Sequence, residues 1–234
     1  MTVETVFTQP LTRSRLSEEI VAIIQKQIMT GAIAPGAKLP TERELALSLK
    51  VNRATVREAL RKLENLELIE ILHGDGVYAK DFLNSSNLDL IKAAFAMDEH
   101  NETIFGVLEV RRIIVPEMAS LAAQRRTDAD LEELEDVIFH QDLPMLEQDI
   151  KVHQIIARAT RNPVYTIMQN FFYQINREYC YLYFDHEEAV ERAGRFYRRI
   201  FNAIKGRDAV KARRIMREAM IHSEERFRNY LAEL

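Results

Sequence analysis

Residues 39–60 read LPTERELALSLKVNRATVREAL, and this stretch decides the fold of the first part of the chain. Thr41 followed by Glu44 forms a capping box, which predicts a short helix from residue 42 to residue 48. After a short turn, Asn52 is a favourable N-cap for a second helix. That helix has an apolar stripe at helical spacing, formed by Val56, Ala59, Leu60, Leu63 and Leu66.

The flanking segments complete a small domain around these two helices. Residues 16–29 predict a preceding helix, with Ser17 as its candidate cap. Its apolar positions are Leu16, Ile20, Ile23, Ile24 and Ile28. After the second helix, LIEIL and VYAK flank a His-Gly-Asp-Gly turn, which predicts a β-hairpin. Three helices followed by a hairpin form the plan of a winged helix-turn-helix.

Positive charge is concentrated in this domain, although the whole chain is acidic. The 234 residues include 32 Lys and Arg and 36 Asp and Glu, a net charge of −4. Residues 38–62 nevertheless hold seven basic and three acidic side chains, whereas residues 81–234 hold 21 basic and 26 acidic ones. Because phosphate binding depends on local charge, we expect the first part of the chain to bind DNA.

The residues predicted to contact DNA lie on the helix-turn-helix and at the hairpin tip. The third helix is expected to enter the major groove, where the residues of its first turns face base edges. Arg53 and Arg57 lie four residues apart and share one face, with Thr55 close to it. The hairpin tip is expected to reach the minor groove or the backbone. The predicted set is Arg43, Arg53, Thr55, Arg57, His73 and Gly74.

Composition excludes several other classes of protein. The sequence has no apolar run long enough to span a membrane, and its N-terminus lacks the features of a signal peptide. Cys180 is the single cysteine, which suits the reducing cytoplasm. The sequence contains no nucleophile elbow, P-loop or HExxH pattern, so we do not expect an enzyme.

The rest of the chain is predicted to be a second, helical domain. Helical segments are expected at residues 88–97, 103–124, 128–140, 147–160, 164–184, 187–205 and 207–233. Six or seven antiparallel helices form a bundle, and bundles hold ligands among inward-facing side chains. The fold class is therefore mainly α, with a winged helix-turn-helix domain at residues 1–80, a linker at 81–87 and a helical effector-binding and dimerisation domain at 88–234.

The first domain resembles the GntR family of bacterial transcription regulators. The resemblance rests on GxxxPGxxLPTERELA, then VNRATVREALRKLE, then a glycine-rich wing. Its matching positions are Gly31, Pro35, Gly36, Leu39, Pro40, Glu42, Arg43, Leu45, Ala46, residues 51–63, His73, Gly74 and Gly76. The resemblance implies DNA contacts by Arg43, Arg53 and Arg57, and leads us to expect a homodimer on a palindromic operator in double-stranded DNA.

The second domain resembles the ligand-binding domain of the FadR-type branch of that family, through EVRRIIVPEMASLAA and DIKVHQIIARATRNPVY. Many members of this branch hold a metal ion through one aspartate and three histidines. Asp149 and His153 match the first two ligands, but Tyr197 and Ala219 fall where the others are expected. The resemblance thus implies no cofactor. If a divalent metal is present, its ligands would be Asp149, His153 and His222.

These departures favour a resemblance to the metal-free, acyl-CoA-binding regulators of fatty acid metabolism in the same branch. The resemblance rests on residues 162–165 (NPVY), 183–189 (YFDHEEA), 194–200 (GRFYRRI) and 221–227 (IHSEERF). The effector-contacting positions that it implies are Arg111, Tyr183, Ser223 and Phe227. The alternative is a metal-assisted sensor of a small carboxylate. In both cases an anionic effector is expected to alter operator binding.

Overall fold

The chain divides into two compact units, residues 1–100 and residues 101–234, which we name the winged unit and the helical unit. The structure is a computed structural model that describes residues 14–97, 101–176, 184 and 187–232. Within these ranges the chain forms ten α-helices and one two-stranded sheet, which confirms the mainly α fold class. None of the helices in these ranges is long and apolar enough to cross a bilayer.

The winged unit consists of three helices, a hairpin and a further helix. Its elements are α1 (Ser14–Met29), α2 (Glu42–Ser48), α3 (Arg53–Asn65), β1 (Ile69–Leu72), β2 (Gly76–Ala79) and α4 (Asp89–Met97), with a 3-10 helix at Phe82–Asn84. Both α1 and α2 pack against α3. This arrangement confirms the helix-turn-helix and wing that the sequence predicts.

Side-chain caps define where α2 and α3 begin. The hydroxyl of Thr41 accepts a hydrogen bond from the amide of Glu44, whose carboxylate accepts one from the Thr41 amide at 2.8 Å. Asn52 accepts a hydrogen bond from the amide of Thr55 at 2.8 Å. Each cap of this kind is worth about 1 kcal/mol. The two helix starts are therefore encoded locally, as the sequence predicts.

An apolar core between α1, α3 and the wing holds the winged unit together. Its buried members include Ile20, Ile24, Ile28, Val56, Ala59, Leu60, Leu63, Leu68 and Ile69. Two residues assigned to the α1 stripe from the sequence, Leu16 and Ile23, are instead 52% and 48% exposed. The buried face of α1 is formed by Ile20, Ile24 and Ile28, and Leu16 and Ile23 lie beside it. This buried face is therefore narrower than the apolar stripe predicted from the sequence.

Ser17 is a core residue and not the cap that the sequence suggests. Helix α1 begins at Ser14, so Ser17 lies within its first turns and is fully buried. Its hydroxyl donates to a carboxylate oxygen of Glu58 at 2.8 Å, and the amine of Lys62 donates to the same hydroxyl at 2.9 Å. These polar contacts join α1 to α3 at the margin of the apolar core.

The wing is a short antiparallel hairpin whose tip forms a hydrogen bond with Lys38, a residue outside the hairpin. Its register is Ile69↔Ala79, Glu70↔Tyr78, Ile71↔Val77 and Leu72↔Gly76. Gly74 in the turn has φ +82°, a conformation that favours glycine. The amine of Lys38 donates to Asp75 at 2.9 Å, and the hydroxyl of Tyr78 donates to the same carboxylate at 2.7 Å. The hydrogen bonds from Lys38 and Tyr78 therefore restrain the orientation of the tip.

The helical unit contains six helices in the residues that the structure describes. They are α5 (Glu102–Arg125), α6 (Asp128–Phe139), α7 (Met145–Ala159), α8 (Pro163–Asn176), α9 (Glu187–Lys205) and α10 (Ala209–Ala232). Helix α5 packs along α10 and also contacts α7, α8 and α9. Its buried residues are almost all apolar, so α5 forms the centre of the unit.

Arg207 gives the connection after α9 an unusual backbone conformation. Gly206 directly follows the helix, but the left-handed conformation that glycine commonly adopts at a helix end is taken by Arg207, with φ 54°. The guanidinium of Arg207 donates to the carbonyl of Gln124 at 3.1 Å and to that of Arg126 at 3.3 Å. These hydrogen bonds to the end of α5 stabilise a conformation that is otherwise unusual for arginine.

Helix α4 belongs to the winged unit by its contacts. Leu90 is 5% exposed within the apolar core of that unit, and the division between the units falls after residue 100. The sequence division instead placed residues 88–97 in the second domain, after a linker at 81–87. The hydrophobic period of a short helix shows that one face is buried, but it does not show which neighbour covers that face.

Replacing Leu63 with alanine is expected to destabilise the winged unit by about 2–5 kcal/mol, because truncation of a buried side chain leaves a cavity. Leu63 is completely buried in α3. Native-state hydrogen exchange of the α3 amides in the full chain would measure the loss. The control is Leu47→Ala, since Leu47 is 70% exposed on the adjacent helix. Equal losses of stability in the two variants would contradict a place for Leu63 in the core of the winged unit.

Candidate DNA interface and effector pocket

Helix α3 presents a row of arginines on the face opposite the core. Arg53 and Arg57 are exposed, and Arg61 continues the row at the same spacing of four residues. Thr55 is half-buried, and both its amide and its hydroxyl donate to Asn52. The exposed guanidinium groups have the charge and reach needed to contact bases or phosphates in a DNA groove.

Arg57 is held by a carboxylate of the neighbouring helix. Its Nε and Nη2 donate to the two carboxylate oxygens of Glu42 at 2.9 and 2.7 Å. The hydrogen bond from Arg57 lowers the pKa of Glu42, so the carboxylate stays ionised at neutral pH. A two-point pair of this kind fixes the direction of the guanidinium plane. A DNA group that contacts Arg57 must therefore share or replace Glu42.

A cleft of about 670 Å³ separates α2 and α3 from the wing. It brings Arg57 together with His73 and Gly74, which come from the opposite side of the winged unit. The other residues predicted to contact DNA lie outside its lining: Arg43, Arg53 and Thr55. Arg43 is exposed on α2. The structure thus joins half of the predicted set in one concave surface, and it leaves Arg43 and Arg53 exposed on their helices and Thr55 half-buried.

Two cations in this cleft are absent from the set predicted from the sequence. The sequence pattern is sufficient to predict Arg61, because this residue lies four positions after Arg57 on the same helix. The pattern is not sufficient to predict Lys38, because the position of this side chain depends on the wing. Its amine bonds to Asp75 and lies 5.4 Å from the ring centre of Tyr78. Lys38 and Asp75 are far apart in the sequence, so no short motif predicts that they are in contact.

The helical unit contains a cavity of about 320 Å³ with a strongly charged wall. Its charged residues are Arg111, Arg192, Arg195, Arg199, Arg226, Asp149 and Glu218. Its apolar residues include Phe184, Phe196, Ile215 and Met220. Because guanidinium groups outnumber carboxylates in the described lining, the cavity favours an anion.

Arg111 has a buried donor that no described residue satisfies. Its Nε–H is enclosed without a hydrogen-bond partner in the part of the chain that the structure describes. A small space of about 20 Å³ beside it is lined by Gln169, whose buried Oε1 is likewise unpartnered among the described residues. An unsatisfied buried polar group costs about 1–3 kcal/mol. Arg111 also lines the cavity of about 320 Å³, so its guanidinium is available to an anion bound there.

Asp149 and His153 share one face of α7, as the sequence predicts. Asp149 Oδ1 and His153 Nε2 are 3.7 Å apart, and the hydroxyl of Tyr197 donates to the same Oδ1 at 3.0 Å. Burial lowers the pKa of His153 and Arg111 adds to this effect, against the opposing influence of Asp149. The imidazole is therefore neutral at pH 7.

The residues of this site do not fit a metal ion. Ala219 lines the cavity but has no ligand atom, and Tyr197 is engaged as a hydrogen-bond donor. Within the described ranges, no group of three His, Cys, Asp or Glu side chains is arranged to hold a metal. Asp149 and His153 remain a pair, which is too small a ligand set for a structural or catalytic zinc site.

His222, the alternative third ligand, faces a cation. The guanidinium of Arg192 contacts its imidazole, and the other amino nitrogen of Arg192 donates to Glu188 at 2.6 Å. Burial lowers the pKa of His222, and the charges of Arg192 and Arg226 lower it further. A neutral imidazole can accept a hydrogen bond from the guanidinium, so this contact is favourable without a metal.

Two of the four residues expected to contact an effector line the cavity, namely Arg111 and Ser223. Phe227 does not line it. The side chain is 2% exposed and packs edge-on against Phe105, with ring centres 6.0 Å apart, because its position on α10 directs it towards α5. Tyr183 lies outside the described residues.

Sequence reasoning missed the arginine stripe on α9. Arg192, Arg195 and Arg199 follow the helical spacing i, i+3, i+7 and all line the cavity. Arg199 donates to Glu218 at 2.8 Å, and Arg195 donates to Glu191 at 3.4 Å. The spacing is visible in the sequence, but a charged stripe on a helix more often faces solvent, so spacing alone does not identify the cavity wall.

Two family descriptions match this chain. Residues 16–79 match "Bacterial regulatory proteins, gntR family", and residues 106–222 match "FCD domain". The first range contains the helix-turn-helix and the wing, and the second extends from α5 to His222. The matching families and the relatives below are transcription regulators, which confirms the expectation that the chain is not an enzyme.

Named relatives and a solved structure agree with these matches. The HTH-type transcriptional regulator LutR of Bacillus subtilis is 30% identical over 219 residues, which are 88% of this chain and 98% of LutR. The galactonate operon transcriptional repressor of Escherichia coli is 30% identical over 156 residues, 63% of this chain and 68% of that protein. The structure of Lar, described as controlling the expression of the Listeria monocytogenes agr system, shares the fold. It superposes with a TM-score of 0.51 at 14% identity and covers 92% of this chain and 98% of that one.

The Glu42→Gln substitution is expected to raise affinity for non-specific duplex DNA by about 3–10-fold, because it removes a negative charge that repels phosphates. It also frees Arg57 from its fixed direction, so the preference for the operator over random DNA is expected to fall. Fluorescence anisotropy titrations with a random duplex, and with an operator selected from a random pool, would measure both quantities.

The charge-matched control for this variant is Glu70→Gln. Glu70 is exposed on β1 and does not line the cleft. We expect its replacement to change the operator preference by less than about twofold, since only the overall charge changes. A similar loss of preference in both variants would show that the contact between Glu42 and Arg57 has no special role.

Proposed function

Because this chain belongs to the GntR family of bacterial regulatory proteins and carries an FCD domain, we propose that it binds a palindromic operator as a homodimer under the control of a small organic acid. The chain is a DNA-binding transcription regulator with an effector-binding domain. The observation that carries the effector proposal is the arginine-lined cavity with its unsatisfied Arg111. Such a regulator acts in the cytoplasm, with DNA and not a membrane as its partner.

The proposed DNA contacts follow from the exposed faces of the winged unit. Arg53 and Arg57 are assigned to base edges in the major groove, where an arginine binds two acceptors of guanine. Arg43 on α2 is assigned to a phosphate or base contact. His73 and Gly74 at the wing tip are assigned to the minor groove or the backbone. In a two-fold symmetric dimer, two such units would contact adjacent half-sites, which is why a palindrome is proposed.

A small carboxylate is the effector class that the cavity supports best. Guanidinium groups recognise carboxylates through paired hydrogen bonds, and Arg111 is one of five arginines in the described lining. The cavity volume of about 320 Å³ is at the lower end of small-molecule sites. One relative is named as the repressor of a galactonate operon, which supports a sugar acid or hydroxy acid as the kind of molecule to test.

An acyl-CoA is the second candidate. The observation in its favour is the mixed wall, in which Phe196, Ile215 and Met220 lie near several arginines. Apolar side chains suit an acyl chain, and arginines suit the phosphates of coenzyme A. The matching relatives do not add support for this candidate, and the small volume makes a small acid the better proposal.

Control of DNA binding requires that the effector favours one state of the protein over another. A coupling of about 1–3 kcal/mol between effector and operator is typical of such regulators and changes DNA affinity about 5–150-fold. The coupling is reciprocal, so operator DNA must alter effector affinity by the same factor. The same relation holds for a repressor and for an activator.

The Arg53→Ala variant is expected to lose about 1–3 kcal/mol of binding free energy for the selected operator, because one two-point base contact is removed. Binding to random DNA is expected to fall much less. Anisotropy titrations at fixed salt would measure both affinities. Lys26→Ala is the control, since it removes one exposed positive charge from α1 outside the proposed interface. Equal losses on operator and random DNA would contradict base recognition by Arg53.

The Arg111→Ala variant is expected to keep operator affinity but lose the response to the effector, because it removes a guanidinium group that lines the cavity. Operator titrations with hydroxy acids, sugar acids including galactonate, and acyl-CoAs would identify the active class in the wild type. The control is Arg213→Ala, since Arg213 bonds to Glu117 outside the cavity lining. A normal response in the Arg111 variant would refute this effector site.

A further inference from the structure

The cavity of the helical unit contains the Asp-His pair expected at a metal site, yet side chains in and beside the cavity join the helices without a metal ion. We infer that this protein holds its effector without a metal ion: Arg111 and Arg192 bind the anion directly, and two side-chain contacts join the helices that a shared metal ion would join. This inference rests on the proposed function, since it concerns the same effector cavity.

The first of these contacts joins α7 to α9. The hydroxyl of Tyr197 donates to Asp149 Oδ1 at 3.0 Å, and the Tyr197 ring is almost completely buried. This hydrogen bond engages Asp149 Oδ1, the oxygen that lies 3.7 Å from His153 Nε2, so the phenol acts at this site as a hydrogen-bond donor.

The second contact joins α9 to α10. The guanidinium of Arg192 donates to the imidazole of His222. A neutral imidazole has one nitrogen lone pair, and a hydrogen bond to a guanidinium uses the lone pair that a metal would need. Since Ala219 supplies no ligand on α10, this helix is held to the site by Arg192 instead.

The electrostatic field of the cavity also disfavours a cation. In the described lining, five arginines (Arg111, Arg192, Arg195, Arg199 and Arg226) stand against two carboxylates, Asp149 and Glu218. A divalent cation in the cavity would be repelled by this excess of positive charge. An anion in this position is attracted by the same groups.

The arrangement instead supplies donors for an anion from several helices. Arg111 lines the cavity from α5, Arg192 lines it from α9 with the N–H groups that do not donate to His222 or Glu188, and Ser223 lines it from α10. Guanidinium and hydroxyl donors of this kind bind carboxylates without an intervening metal. The chemical class of ligand is therefore a small organic acid bound directly by arginine.

Metal content provides a test that needs no knowledge of the effector. Full-length protein incubated with Zn²⁺ and dialysed against metal-free buffer is expected to retain less than about 0.1 zinc per chain, because only two ligands are in place. Elemental mass spectrometry would measure the zinc. Retention of about one zinc per chain by the wild type, lost in His153→Ala, would overturn the inference while leaving the proposed function intact.

A matched variant shows whether the missing ligands explain the result. The Tyr197→His, Ala219→His double substitution places two imidazoles beside Asp149 and His153, and it is expected to retain about one zinc per chain. Zinc uptake by this variant and not by the wild type would support the inference, because both proteins share the remaining arginine-rich wall.

Anion binding tests the role of Arg192. With EDTA present, tartrate and inorganic phosphate, used as simple anion probes, are expected to raise the melting temperature of the wild type by at least about 2 °C. Arg192→Gln is expected to lose this rise, whereas the control Arg213→Gln keeps it. A rise that requires added Zn²⁺ would overturn the inference. Failure of the proposed function is distinguishable, since it would appear as a normal effector response in Arg111→Ala.

Discussion

The burial of one side of α3 against α1 determines what the winged unit can present to DNA. A helix pinned along one face has a fixed rotation about its axis, so the residues on its opposite face have a fixed direction. Leu63 and its buried neighbours set that rotation, and Arg53 and Arg57 follow from it. The polar contacts of Ser17 with Glu58 and Lys62 add a directional restraint that apolar packing alone does not provide.

The features that the sequence predicts correctly depend on residues close together in the chain. The caps at Thr41 and Asn52 and the glycine turn of the wing are set by the chemistry of a few adjacent residues. The features that it misses depend on partners far away. Ser17 is buried because of α3, Leu90 is covered by the winged unit, and Phe227 packs on α5 and not in the cavity. Periodicity cannot supply such partners.

Both candidate sites contain arginines that are already paired with carboxylates of the protein. Arg57 is bound to Glu42 in the winged unit, and Arg199 is bound to Glu218 in the helical unit. A ligand that engages such an arginine exchanges one ion pair for another, so the net gain is smaller than the contact itself suggests. The advantage lies in geometry, because a guanidinium held in a fixed plane loses less conformational freedom when its ligand binds.

Arg111 differs from these residues, since its Nε has no acceptor in the described part of the chain. Arg111 also lines the cavity, so an effector can contact its guanidinium without breaking an ion pair described for this residue. The other groups of the wall come from α7, α9 and α10, so an anion bound to Arg111 also contacts several helices at once. A ligand shifts a conformational equilibrium only if its contacts differ between the two states. A site shared among helices satisfies this condition, because any relative movement of the helices changes the contacts, whereas a site on one helix would move with it and leave the equilibrium unchanged.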